Sequence, residues 1–141
     1  MGNTSTYESR TGKLKCTDTE LFNFIGDISN MGQLLPEGTL LNWNATADSC
    51  HFDVPHLGAV RIRVTERVPY SLVSYSGDAF GANPFDIVVR IGKNANNKAE
   101  VRISLTADLN PLLKAMASGH IEKFLDIMIS EMEKNEKWTT I

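Results

Sequence analysis

The residue type best suited to acid–base chemistry at neutral pH is histidine, and His120 stands near the middle of a long apolar helical pattern. It lies four residues from Met116 and four from Phe124, so the three side chains are expected on one helix face. If that face meets a cavity, the imidazole can bond a ligand carbonyl or act as a general acid or base. The alternative is a core histidine satisfied by a backbone carbonyl or a buried water. His120 is therefore the candidate catalytic residue, with both interpretations open.

Two carboxylates fall on apolar faces of predicted elements. Glu131 lies on the same helix face as His120, and Glu66 follows Val64 on the inward alternation of a strand. Without a bulge, Glu66 would point inward, toward Arg90 or a ligand. Because a lone buried carboxylate is costly, both residues are expected at solvated ends of their elements.

His51, Asp53 and His56 are candidate metal ligands by residue type. His51 and Asp53 share the face of a strand that is expected to be wet, and zinc sites usually need three or four ligands. The chain has 2 cysteines, too few for a disulfide framework or a structural zinc site. No phosphate loop, dinucleotide fingerprint or nucleophile elbow is present. The sequence therefore predicts no metal and no cofactor.

Several arginines are expected on the outer face of the sheet, namely Arg61, Arg63, Arg90 and Arg102. Acidic residues are interspersed with them, namely Glu66, Asp86 and Glu100. Opposite charges on neighbouring strands attract, so cross-strand ion pairs are the expected arrangement.

Composition limits the protein class. The chain has 141 residues, 42% of them hydrophobic, and a net charge of −3, which suits one domain over residues 1–141, structured from 4 to 136. A nucleic-acid partner is not expected, because it requires a basic surface. No apolar run is long enough for membrane insertion, and no secretion signal is apparent, so a cytoplasmic location with reduced cysteines is predicted.

The middle of the chain has the two-residue period of β-strands. Val60, Ile62 and Val64 alternate with Arg61 and Arg63, and similar runs recur from residue 40 to residue 107. One apolar and one polar face predict an antiparallel sheet that is wetted on one side.

Helical patterns flank these strands. Thr17 and Glu20 form a capping box before a helix over residues 18–29, with a short helix or turn over 31–35. Asn110 and Pro111 start a helix over 110–135, about 36 Å long. Its apolar arc must be buried, so the fold class is α+β, a curved sheet of six to seven strands around this helix.

The segment over residues 21–30, LFNFIGDISN, followed by Pro36, resembles the first helix of the START-like (SRPBCC) superfamily. The order of elements resembles that superfamily's helix-grip fold over nearly the whole chain. The superfamily includes lipid-transport, polyketide-cyclase and coenzyme Q-binding proteins. The resemblance implies a pocket between the inner sheet face and the long helix.

Aromatic, sulfur-containing and apolar side chains are expected on the pocket wall. The predicted ligand-binding residues are Trp43, Phe52, Val64, Tyr75, Phe80, Phe85, Met116, His120, Phe124 and Met128. The alternative is that they simply fill the core. The glycine- and alanine-rich segment over 77–83 is either a lid or a loose hairpin.

Three functions remain in order of preference. The first is a carrier or sensor for a small apolar molecule that is lipid-, quinone- or polyketide-like. The second is a cyclase or dehydratase that uses His120 in the same cavity. The third is a protein-interaction module, acting through the outer sheet face or the tail over 134–141. That tail ends in an exposed-looking Trp138 and either packs back on the domain or docks to a second subunit, as in a homodimer.

Overall fold

The structure is a computed structural model that describes residues 4–34, 40–55, 58–79, 83–136 and 138. The helices are α1 (Asp18–Gly26), a 3₁₀ helix (Ile28–Gln33) and α2 (Pro111–Lys134). The strands are β1 (Thr4–Glu8), β2 (Gly12–Lys13), β3 (Leu41–Ala45), β4 (Ser49–Val54), β5 (Gly58–Val68), β6 (Leu72–Ala79), β7 (Asn83–Lys93) and β8 (Ala99–Asp108).

All neighbouring strands are antiparallel, in the spatial order β1-β8-β7-β6-β5-β4-β3, and β2 also pairs with β8. The chain before α1 therefore contributes two short strands, β1 and β2, to the sheet. The helix-grip fold class is confirmed, with eight strands in the sheet rather than six or seven.

The first helix begins as its capping box predicts. The Thr17 hydroxyl accepts from the amide of Glu20, and the Glu20 carboxylate accepts from the amide of Thr17. The helix ends at Gly26 rather than at residue 29, because Asp27 is extended. The Asp27 carboxylate then caps the 3₁₀ helix by accepting from the amide of Ser29 at 3.0 Å. The short helix or turn predicted over residues 31–35 therefore begins three residues earlier, as the 3₁₀ helix that starts at Ile28.

A β-bulge in β5 decides which of two charged residues faces inward. Val64 pairs with Tyr75 but Glu66 pairs with Ser74, so the register shifts between them. Glu66 consequently lies exposed on the outer face, and Arg67 takes the inner position opposite Val73. The solvated position expected for Glu66 is correct, and the bulge is its cause.

Helix α2 packs unevenly along its length. Asn110 caps it by accepting from the amide of Leu113 at 2.8 Å. Its second half buries four apolar side chains, namely Leu125, Met128, Ile129 and Met132. In its first half, from Pro111 to His120, Ala117 is the one buried residue. Neither α2 nor another described helix is long and apolar enough to cross a membrane.

Candidate ligand-binding site

A narrow cavity of about 60 Å³ lies between the inner face of the sheet and the second half of α2. Apolar atoms alone form its surface. The lining residues are Ile28, Met31, Leu40, Trp43, Cys50, Phe52, Ile62, Tyr75, Ile87, Val89, Ile103, Phe124 and Met128. Such a surface can hold hydrocarbon or an aromatic ring, and it offers nothing to balance a charge.

One wall of the cavity is a pair of stacked aromatic rings. Trp43 on β3 and Phe52 on β4 have ring centroids 5.7 Å apart and an interplanar angle of 25°. The 3₁₀ helix approaches this wall closely at Gly32, where a Cβ atom would lie 2.8 Å from Nε1 of Trp43. Gly32 therefore allows the helix to close one side of the cavity against the indole ring.

The hydroxyl of Tyr75 serves the fold rather than a ligand. It donates to the carbonyl oxygen of Ile25 at 2.8 Å and so joins β6 to the last turn of α1. Burial raises the pKa of Tyr75 well above its usual value. The ring thus contributes an apolar surface to the cavity, and its polar end is already bonded.

Cys50 contributes a thiol to the lining of the cavity. Burial raises its pKa to about 11, so the thiol carries its proton at physiological pH. A protonated thiol is a poor nucleophile and behaves as a small apolar group. Cys50 therefore helps to shape the site and is not suited to covalent catalysis.

Five of the predicted ligand-binding residues do line the cavity, namely Trp43, Phe52, Tyr75, Phe124 and Met128. Val64 and Phe85 are half-buried and pack against the core, but they lie outside the lining. Phe80 falls outside the described residues, as does part of the 77–83 segment considered as a lid.

The expectation that Met116 and His120 face the cavity is wrong. Met116 is 56% exposed, and His120 is also exposed. The helical period placed both residues correctly on one face of α2. That face is covered only in the second half of α2, where Phe124 and Met128 line the cavity. Glu131 pairs with Lys134 at 3.3 Å and is partly exposed, as expected.

Eight lining residues were not predicted as ligand-binding, namely Ile28, Met31, Leu40, Cys50, Ile62, Ile87, Val89 and Ile103. Several of them lie on the inward alternation that defines the strands, so the sequence placed them in the core. Which core residues border a void depends on how far α2 stands off the sheet, and the periodic pattern carries no such information.

The outer face differs from the predicted pattern of ion pairs. Among the described residues, no ion pair joins the four arginines of that face to Glu66, Asp86 or Glu100. The register explains this, because Arg90 lies directly opposite Arg102. The Arg90 guanidinium bonds Ser104, and that of Arg102 bonds Thr11. The prediction of cross-strand ion pairs is therefore wrong.

No cluster of three His, Cys, Asp or Glu side chains that could hold a metal ion occurs in the described ranges. His51 is exposed on the outer face, and Asp53 accepts from Asn42 at 2.7 Å. His56 lies outside the described residues.

Comparison with known proteins gives similar structures, whereas the two sequence comparisons give no match. No protein-family model matches the chain, and no curated protein matches it. A norcoclaurine synthase from Thalictrum flavum is 8% identical with a TM-score of 0.73, covering 95% of this chain and 94% of that one. An uncharacterized protein from Rhizobium leguminosarum is 11% identical with a TM-score of 0.67, covering 96% and 98%.

A conserved protein from Geobacillus kaustophilus is 14% identical, with a TM-score of 0.65, and the match covers 93% of this chain and 91% of that one. These likenesses show that the chain has the helix-grip fold. At such identities they show the fold alone.

Proposed function

We propose that this chain binds one small, largely apolar molecule between the sheet and α2, as a carrier or a sensor. The observation that carries the proposal is a cavity bounded by apolar atoms alone, with stacked Trp43 and Phe52 forming one wall. A core that served only stability would gain from filling this space, because empty apolar volume forfeits packing contacts. The norcoclaurine synthase of similar fold was solved with dopamine and hydroxybenzaldehyde, two small aromatic molecules.

The size of the cavity indicates how a ligand enters. A volume of about 60 Å³ is smaller than the roughly 150 Å³ engineered cavity that holds benzene. Binding therefore requires movement of the lining. Met31 and Met128 are suited to this movement, because unbranched thioether side chains change rotamer easily. The first half of α2 lies outside the lining but is lightly packed, so it can shift with little loss of contacts.

The ligand class follows from the same surface. A quinone ring or a polyketide-like ring system can present a flat apolar face to Trp43 and Phe52, and a lipid chain can lay its methylene groups against them. A charged or strongly polar group inside the cavity would lose its hydration without gaining a partner. The polar end of such a ligand is therefore expected outside the apolar lining.

A cyclase or dehydratase acting through His120 has no support in the geometry. The imidazole is exposed on α2, and no polar atom contributes to the cavity surface. An interaction module with a filled core is the remaining alternative, and the experiment below separates it from a carrier. The cytoplasmic location and the homodimer stay predictions from the sequence.

The first test is native mass spectrometry of freshly purified protein, with organic extraction of any co-purifying molecule. The second is a titration with N-phenyl-1-naphthylamine, an uncharged dye, followed by energy transfer from Trp43. The Trp138→Phe variant removes the other tryptophan, which packs against Phe24 away from the cavity lining. Decanoic acid and menadione then serve as competitors of lipid-like and quinone-like chemistry.

A matched pair of variants locates the bound dye. Ile62 and Val64 are both half-buried on the inner face of β5, but only Ile62 lines the cavity. Ile62→Phe should weaken dye binding at least about tenfold, because the larger ring occupies the cavity, whereas Val64→Phe should retain it. If the purified protein contains no bound molecule and binds neither the dye nor the two competitors, the interaction module becomes the preferred function.

A further inference from the structure

We infer that the outer face of the sheet carries a second site, which binds the oxyanion of a small organic phosphate or carboxylate. The site is an open groove of about 550 Å³ between β3 and β6, on the side of the sheet opposite the apolar cavity. This volume falls in the range of about 300–1,000 Å³ that is typical of small-molecule sites. The side chains that line this outer groove are Asn44, Thr46, Ser49, His51, Arg61, Arg63, Ser76 and Asp78.

The strand register gathers the cationic groups in the outer groove. Arg61 and Arg63 are two residues apart on β5, so their side chains leave the same face about 7 Å apart. Arg63 stands between Ser49 on β4 and Ser76 on β6, neither of which can neutralise it. An anion placed here would meet a guanidinium and the Ser49 hydroxyl together.

Arg61 adds a second guanidinium beside the first. Its neighbours across the two strand pairings are His51 on β4 and Asp78 on β6. No ion pair of Arg61 or Arg63 occurs within the described part of the chain. Two arginines therefore face one carboxylate, that of Asp78, in the lining of the groove, whereas the net charge of the whole protein is −3. The lining therefore carries one more positive than negative side chain on an acidic protein, which favours an anionic ligand directly between the two arginines.

The chemistry of the donors indicates the class of anion. A guanidinium presents its N–H groups as a planar fork that matches a carboxylate or a phosphate in a bidentate contact. Asp53 and Asp86 lie on the same outer face next to the groove, where Asp53 bonds Asn42 and Asp86 bonds Ser76. A long polyanion would be repelled by these flanking carboxylates, so the ligand is a small molecule rather than nucleic acid.

The test is an NMR titration of ¹⁵N-labelled protein with inorganic phosphate, against chloride at constant ionic strength. A parallel titration uses citrate, and the two arms decide between phosphate-type and carboxylate-type ligands. The expected result is a saturable shift of amides in residues 44–51, 61–63 and 76–78 with at least one of the two anions. The same spectra report whether each variant is folded.

Arg63→Gln should weaken that binding about tenfold or more, because it removes a charge-assisted bidentate contact. Arg102→Gln is the matched control, since it removes the same charge from the same sheet face outside the groove. The affinity of the Arg102→Gln variant for the anion should stay close to that of the unmodified protein. The inference is overturned if neither anion binds saturably, or if Arg102→Gln weakens binding as much as Arg63→Gln.

Discussion

Arg67 donates two hydrogen bonds to the carbonyl oxygen of Gly26, from Nε at 3.0 Å and from Nη2 at 2.7 Å. Gly26 is the last residue of α1. At this end of a helix the carbonyl groups lack helical partners, and the helix dipole has its negative end. The same guanidinium pairs with Asp48 at 2.8 Å. The bulge that turns Glu66 outward thus brings Arg67 to the end of α1.

Replacing Arg67 by Met should lower the free energy of unfolding by about 1–2 kcal/mol, because bonds from a charged donor are lost while the aliphatic stem is kept. Urea denaturation measures this change. Arg61→Met is the control, since Arg61 is exposed and makes no ion pair with a described residue. Equal unfolding midpoints for the two variants would contradict the structural role of Arg67.

Gly119→Ala should stabilise the protein by about 0.5–1 kcal/mol, because glycine is a poor residue inside a helix. Gly119 lies within α2, and a Cβ atom there would meet nothing within 4 Å. Thermal unfolding followed by circular dichroism provides the measurement. A lower melting temperature would show that the first half of α2 needs the freedom of this glycine.

Gly77→Ala should have the opposite effect. A Cβ atom at Gly77 would lie 2.0 Å from the backbone carbonyl oxygen of Arg61 on the neighbouring strand. A backbone atom cannot move aside as a flexible side chain can, so β5 and β6 would separate locally, at a cost of about 1–3 kcal/mol. Because both variants replace glycine by alanine, a difference between Gly77→Ala and Gly119→Ala reflects the surroundings of each residue. Stabilisation by both variants would refute the close strand approach.

The two buried thiols predict a dependence of stability on pH. Burial raises the pKa of Cys50 to about 11 and that of Cys16 to about 12, above the value of 9.0 expected in the unfolded chain. The folded state therefore keeps protons that the unfolded state releases. This contribution to the free energy of unfolding is complete below pH 9 and is lost as the pH rises from 9 toward 12. Urea titrations of the wild type and of Cys50→Ala across this range measure it.

The same thiols report on occupancy of the cavity. Cys50 lines the cavity and Cys16 is buried outside its lining. Saturating N-phenyl-1-naphthylamine should slow the alkylation of Cys50 by iodoacetamide several-fold and leave that of Cys16 unchanged, because only Cys50 borders the bound dye. Peptide mass spectrometry at timed intervals measures both rates. Equal protection of the two thiols would indicate general stabilisation rather than occupancy.

Trp138 belongs to the core of its own chain. It is 5% exposed, and the centroids of its ring and that of Phe24 are 5.2 Å apart. Its indole N–H donates to the carbonyl oxygen of Asn135 at 2.9 Å. Trp138→Ala should lower the free energy of unfolding by about 3 kcal/mol, whereas Trp138→Phe should retain most of the packing. Urea denaturation gives the stability, and size-exclusion chromatography gives the oligomeric state. A change of oligomeric state without a loss of stability would favour the alternative that the tail docks to a second subunit.

The sequence by itself determined the elements and their inner faces. The capping box at Thr17, the Asn110 cap and the alternation around Ile62 are local signals, since each depends on neighbours within a few residues. For this reason the helix-grip fold was predictable, as were the inward positions of Trp43, Phe52, Tyr75, Phe124 and Met128, which line the cavity.

Only the tertiary structure decided which inward side chains border the cavity. His120 and Phe124 have the same helical phase, yet Phe124 lines the cavity and His120 is exposed, because the packing of α2 changes along its length. Likewise, a single bulge exchanged the sides of Glu66 and Arg67. Periodicity gives the direction of a side chain from its own backbone, whereas what it meets depends on residues far away in the chain.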